Sequence, residues 1–436
     1  MRPFSFDDPE RGPACSPSIA AAPCGGVAEI VPFHGLHYDE AKAGALGDLI
    51  CPPYDIIADA DREALYARSA NNFVRVEAGR TEPGDDPVDN RYARAKATLE
   101  TWTEKGVLRY DPSPAFYLYD HYFDLGGARL RRRGFLGALR LYQAGRGIVR
   151  PHEQTTPRDK TDRLRLLRLT RVNTSPIFGL FEDAKGRIAE MLEDWMARGP
   201  ARFVGEARAG DERHLLWALD DRALVGKLQA QLKEARVYLA DGHHRYEVAL
   251  EYLKEENDAK RIDFPEDTPN YVLAYLCALD DPGLRILPTH RIVTGARPAI
   301  DEAIARSFEA SPVDEGALAA VQPGIVLVRD GTFTRLEPRV EVDLSKLSDV
   351  WRSLPVAQAE ALLIEPARAA GGEVRFEHEA GRAIAAAVQG ADAILLRAVD
   401  AMTLKRVTDA WERLPPKTTY FYPKVPAGLV ARPLGA

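Results

Sequence analysis

The amino-acid sequence predicts a mixed α/β protein, and three observations carry that reading. Residues 114–142, "PAFYLYDHYFDLGGARLRRRGFLGALRLY", alternate aromatic and polar residues on either side of Gly126-Gly127, a hairpin signal. Residues 91–106, "RYARAKATLETWTEKG", place apolar residues at helical spacing and stop at a glycine. Residues 236–256, "RVYLADGHHRYEVALEYLKEE", run from an apolar strand through an Asp-Gly turn directly into a helix. Strands and helices mix without strict alternation, so the class is mixed α+β rather than a regular doubly wound sheet.

The remaining elements follow in order. Residues 1–27 are rich in Pro, Ala and Gly, with early acids and no long apolar run. They match neither a signal peptide nor a membrane span and are expected to form a disordered tail. "VAEIVPFHGLHY" (27–38) reads as a short strand and turn, and "LICPPYDII" (49–57) as a rigid apolar loop, because consecutive prolines fix φ. "DADREALYARS" (59–69) is a short helix and "NNFVRVEAG" (71–79), with its alternating valines, a strand. Beyond the hairpin, helices are expected at 183–199 and 221–235 with a strand at 213–220 between them. "NYVLAYLCALDDPGLRILPTHRIV" (270–293) reads as a buried strand, a turn and a returning strand. Residues 28–298 are expected to form the main region and 299–436 a C-terminal α/β subdomain whose aromatic, proline-rich end packs back.

Composition bounds the function. With 436 residues, 45% hydrophobic and 28% charged, the chain can bury a large core unaided. A net charge of −7 argues against a nucleic-acid partner. Four cysteines without a CxxC pair make neither a disulfide framework nor a zinc ribbon, which suits a reducing cytoplasm. No membrane partner is expected, and a homodimer is compatible with this composition.

The chemistry concentrates at residues 241–245, Asp-Gly-His-His-Arg. A helix N-terminus carries about half a positive charge, so each cation there costs roughly 0.3–1 kcal/mol in an empty site. A bound phosphate reverses the sign, because free amides and the helix dipole point at it. On this reading Gly242 lets the ligand approach the backbone, and Arg245 and His244 grip phosphate. His243 acts at the reacting atoms, and Asp241 caps the helix, orients a hydroxyl or holds a magnesium ion. The bland alternative makes Asp241 an N-cap and the cations surface residues.

A second polar cluster, "RPHEQTTPRDKTDRLRLLRLTRVNTSPIFGLF" (150–181), sets His152 and Glu153 on a proline-stiffened loop, with Lys160 and Arg163 following and then a helix with several arginines. Paired acid and base types there suit phosphate binding and proton transfer, with Glu153 the favoured base. The alternative is a solvated basic helix. His290-Arg291, at the close of the expected 270–293 hairpin, adds a further phosphate-binding pair or a structural one. Lys417, Tyr420 and Lys424 are expected as surface residues of the packed tail.

Seven stretches in order, "VPFHGLHY", "CPPYDII", "PHEQTTPRDKTDRL", "NTSPIFGLF", "YLADGHHRYEVAL", "GLRILPTHRIV" and "KTTYFYPKVPAGLV", resemble the prokaryotic domain of unknown function 1015, from about Val27 to Pro433. Asp241 to Arg245 is also similar to the motif of the ParB/sulfiredoxin-like superfamily, and to the Asp-Gly-His-His-Arg stretch of its free serine kinases. That resemblance implies a nucleotide-phosphate site taking ATP or ADP, with an acid elsewhere to activate a serine hydroxyl. Glu29, Asp55 and Glu153 are the candidates for that acid. The sulfiredoxin cysteine is absent from the motif, and no ParB-type DNA-reading helix-turn-helix is evident. The resulting expectation is phosphoryl transfer on a small hydroxyl or phosphorylated metabolite, in the kinase or the phosphatase sense. The alternative is a nucleotide-binding regulatory module without turnover.

Overall fold

The computed structural model describes residues 28–435 except 144–145, 154–156, 200, 234, 262–267, 316–323 and 345–346, and leaves out the side chains of 157–159. The expected tail 1–27 and the threonines beside Glu153 lie outside the described residues. Within them the fold is mixed α/β, as the patterning predicts.

The largest layer is a nine-stranded mixed sheet. Its spatial order is Val149–Pro151, Val237–Asp241, Ile177–Phe181, Tyr271–Ala278, Ala128–Arg140, Phe116–Leu125, Glu212–Leu219 and Arg202–Ala209, with Ile30–Val31 also on Ala128–Arg140. The hairpin turns at Gly126 and Gly127, both with positive φ, which glycine adopts without strain. Val149–Pro151 runs parallel to Val237–Asp241, and Ile177–Phe181 parallel to Tyr271–Ala278. Parallel strands in mid-sheet are covered on both faces and read as continuous apolar runs, as "YVLAYLCA" does. One face carries a large core that includes Tyr119, Phe178, Tyr238, Tyr275 and Phe421, and the other packs the helices Arg187–Arg198 and Arg222–Leu232.

A second, six-stranded antiparallel sheet has the order Phe308–Pro312, Thr332–Pro338, Ile325–Arg329, Asp392–Leu396, His290–Thr294, Glu373–Glu377. The expected hairpin over 270–293 does not form. Arg285–Pro288 pairs with Thr419–Tyr422, and His290–Thr294 enters the second sheet. Pro288 has no amide to continue a ladder, so the chain changes sheets at Thr289.

Residues 71–79 are another correction, because Val74–Glu77 is a short helix, not a strand. The Asn72 carboxamide accepts from Val74 N at 3.0 Å and starts the turn. Fully buried Glu77 then accepts from the Ser175 hydroxyl at 2.9 Å and the Thr174 hydroxyl at 2.5 Å. Two valines at period two suggested a strand, but a buried carboxylate with distant partners decided otherwise. Among the described residues no helix is long and apolar enough to cross a membrane.

Candidate functional site

The strand Val237–Asp241 ends at Gly242, whose φ of 81° turns the chain into the helix His243–Asp258. A Cβ at Gly242 would sit 3.0 Å from Ile177 Cα, so glycine is required both for the angle and for the approach to the neighbouring strand. Among the described residues no side chain caps the first turn of the helix, which leaves its leading amides for another partner. A cavity of about 250 Å³ opens at this point. The turn 241–245 forms one wall, Tyr54 and Asp55 of the proline loop a second, and Glu153 part of the floor. Thr289, which precedes the strand His290–Thr294, and 376–378 at the end of Glu373–Glu377 close one side, and Lys417, Tyr420 and Lys424 the other.

Charge inside the cavity is balanced in pairs. Lys424 donates to Asp241 at 2.9 Å, and Arg245 lies 3.8 Å from the same carboxylate oxygen. Burial pushes the Asp241 carboxyl up, but Lys424 and then Arg245 outweigh it and hold the group well below the usual carboxylate range. Burial lowers the Lys424 ammonium, while Asp241 and Asp55 raise it, for a net rise. The Lys424 ammonium also lies 4.8 Å from the Tyr420 ring centroid, and Tyr420 stacks on His378 at 4.2 Å.

The floor is held by His152. Its Nδ1 faces the Leu239 carbonyl at 2.6 Å, an oxygen that only accepts, so Nδ1 carries the proton. Nε2 then accepts from the Thr419 hydroxyl at 2.8 Å. Burial lowers its pKa to about 4, so this ring stays neutral and braces the strand Val237–Asp241. Its face packs on His243, with centroids 4.8 Å apart. Burial, and then the His152 ring, lowers His243 too, and among the described residues its buried Nε2 has no hydrogen-bond partner. Glu153 accepts from the Lys417 amide at 2.8 Å, and burial raises its pKa, which favours a group able to take a proton.

The predicted residues divide by position. Asp241, Gly242, His243, His244, Arg245 and Glu153 border the cavity, and His152 lies directly beneath it. Arg245 also donates to the Pro176 carbonyl, so its fork is partly engaged. Lys160 pairs with Glu247 at 2.5 Å, one turn along the helix, outside the lining. Arg163 is buried against Glu77 and Asp162 and lies 4.0 Å from the Tyr54 ring centroid, so it supports the wall from behind. His290 accepts from the Leu396 amide, and buried Arg291 donates to the Thr289 and Pro416 carbonyls. Neither borders the cavity that Thr289 lines, although the Arg291 charge is felt by Glu153. Glu29 binds Arg140 and Tyr271 elsewhere on the main sheet.

A family model described as a protein of unknown function (DUF1015) matches residues 30–357. The chain belongs to the DUF1015 family. No curated protein matches it. Among solved structures, this DUF1015 chain is similar to a conserved hypothetical protein from Pyrococcus furiosus, with 12% identity over 64% of this chain and 90% of that one, TM-score 0.35. A free serine kinase mutant in complex with ADP matches at 10% identity over 63% of this chain and 84% of that one, TM-score 0.35. SbnI with a C-terminal truncation from Staphylococcus aureus matches at 10% identity over 66% and 84%, TM-score 0.37.

The sequence places Lys417, Tyr420 and Lys424 on the surface; in the DUF1015 structure Lys417 is exposed, whereas Tyr420 and Lys424 are half-buried. All three line the cavity, and only 10% of the Lys424 side chain is exposed. Buried Arg132 donates to the Tyr422 and Pro423 carbonyls at 3.2 and 2.8 Å and fixes the segment that delivers Lys424. Two lysines bracketing an aromatic strand were the only local hint.

Proposed function

We propose that the cavity at the head of the helix His243–Asp258 binds the phosphate of a small metabolite or a nucleotide, and that the protein moves a phosphoryl group there. One observation carries the reading: a helix N-terminus after a glycine turn, uncapped among the described residues, meets Lys417, Lys424 and the buried Nε2 of His243 in one cavity. Such donors stabilise charge on a transferring phosphoryl group whichever way it moves.

Glu153 is the base in this scheme. It borders the cavity, and burial raises its proton affinity. A hydroxyl of serine type, or a water, within hydrogen-bond reach would pass its proton to that carboxylate. Asp241 orients rather than reacts, because Lys424 and Arg245 hold it ionised. A magnesium ion fits in the mode usual for phosphate sites, on one or two carboxylates plus the phosphate oxygens. Exposed Asp55 is the carboxylate of the lining that would hold it, and it would supply charge neutralisation.

The test is calorimetry with inorganic phosphate, ADP and ATP, followed by transfer from ATP to a panel of hydroxyl metabolites, serine first. Phosphate release from phosphoserine tests the reverse sense. Binding with turnover in either direction supports the proposal. Binding with no turnover on the panel selects the regulatory module instead, and absence of binding refutes both.

A further inference from the structure

A second cluster lies further across the main sheet. Glu212 and His214 are two residues apart on one strand, so their side chains leave the same face. The antiparallel neighbour Phe116–Leu125 places His121 directly opposite His214. Sheet register alone therefore brings two imidazoles and a carboxylate together. Each offers one ligand atom within 4.8 Å of the others. Glu212 Oε2 is 2.7 Å from His121 Nε2 and 3.7 Å from His214 Nε2. Both histidines are buried, and the Tyr119 hydroxyl at 2.8 Å fixes Nδ1 of His214, so that Nε2 faces the carboxylate.

We infer that His121, Glu212 and His214 form a binding site for a divalent transition-metal ion of the zinc and cobalt class. Two imidazoles with one carboxylate suit those ions, whereas magnesium and calcium take oxygen ligands. Three protein ligands leave a coordination position free, the pattern of a site that takes water or a ligand oxygen rather than a closed structural site. Glu212 and His214 border a second cavity of about 380 Å³, which supplies the approach. Ile56, Tyr420 and Lys424 line both cavities, so the metal site adjoins the first cavity across the segment 420–424.

One group opposes the ion and narrows its identity. The Arg132 guanidinium, which only donates, lies 3.2 Å from His121 Nδ1, so His121 now gives its Nε2 proton to Glu212. An incoming ion takes the place of that proton. Zinc and cobalt compete for imidazole nitrogen in that way, and magnesium does not.

The inference stands independently of the phosphate reading and is tested with cobalt(II) and the whole chain. Titration of the metal-free protein should show one equivalent bound, with visible ligand-field absorption of a nitrogen–oxygen site. Glu212→Gln keeps the shape at the cavity edge, and His214→Ala removes a ligand. Each should weaken cobalt binding by at least about tenfold, while circular dichroism reports an intact fold. No stoichiometric binding by the parent would overturn the inference, as would unchanged affinity in Glu212→Gln or thiolate charge-transfer bands. If His214→Ala does not fold, Glu212→Gln decides alone.

Discussion

Replacing Lys424 by methionine removes the charge that answers Asp241 and keeps most of the stem that packs against Tyr420. The pair is largely out of water, with 10% of the lysine side chain and 22% of the aspartate side chain exposed. Removing one partner of a buried pair costs about 3–5 kcal/mol, because the other charge is left without its counterpart. Arg245 remains 3.8 Å from Asp241, which holds the cost near the lower end. The lost contact with the Tyr420 ring adds about 0.5–1 kcal/mol. The expected loss is therefore about 3.5–4 kcal/mol, read from urea unfolding followed by tryptophan fluorescence. Asp241→Asn in the Lys424→Met background removes the stranded charge and should restore at least about 1.5 kcal/mol, the coupling expected of residues in direct contact. A Lys424→Met protein within about 0.5 kcal/mol of the parent, or a double-mutant cycle without coupling, would refute the assignment of Lys424 as the counter-charge of the site.

Three further outcomes are expected. Gly242→Ala must hold φ near 81° with a Cβ at 3.0 Å from Ile177 Cα, so it should lose about 2 kcal/mol of stability and weaken phosphate binding; an unchanged melting curve and phosphate isotherm would contradict the turn geometry. His152 and His290 have pKa values lowered to about 4, against about 6.5 when unfolded; the unfolded chain binds more protons between those values, so stability falls as pH drops from 6.5 toward 4. Each should cost on the order of 2 kcal/mol between pH 7.5 and 5, and a flat profile by denaturant titration would contradict the buried neutral state of both rings. Glu153→Gln should lower any phosphoryl turnover by roughly a hundred- to ten-thousand-fold while phosphate affinity survives; near-normal turnover would move the base to Asp55.

The sequence by itself determined the elements whose signals are local. The Gly126-Gly127 hairpin, the helix 91–104 and the strand–turn–helix around Gly242 depend on residues within one or two turns of one another, and all three are present. Seven ordered stretches were enough to point to the family. Tertiary structure decided whatever depends on a partner remote in the chain. Val74–Glu77 is helical because Glu77 finds hydroxyls nearly a hundred residues away. His290 and Arg291 lie in the second sheet rather than in a hairpin because the chain leaves the Arg285–Pro288 ladder at Thr289. Lys424 enters the cavity because the strand Thr419–Tyr422 pairs with Arg285–Pro288 and because Arg132, some 290 residues upstream, holds the carbonyls beside it. The row of His121 opposite His214 is likewise a matter of strand register, which no local pattern specifies. Periodicity tells a residue which face it occupies, while only chain pairing tells it what that face will meet.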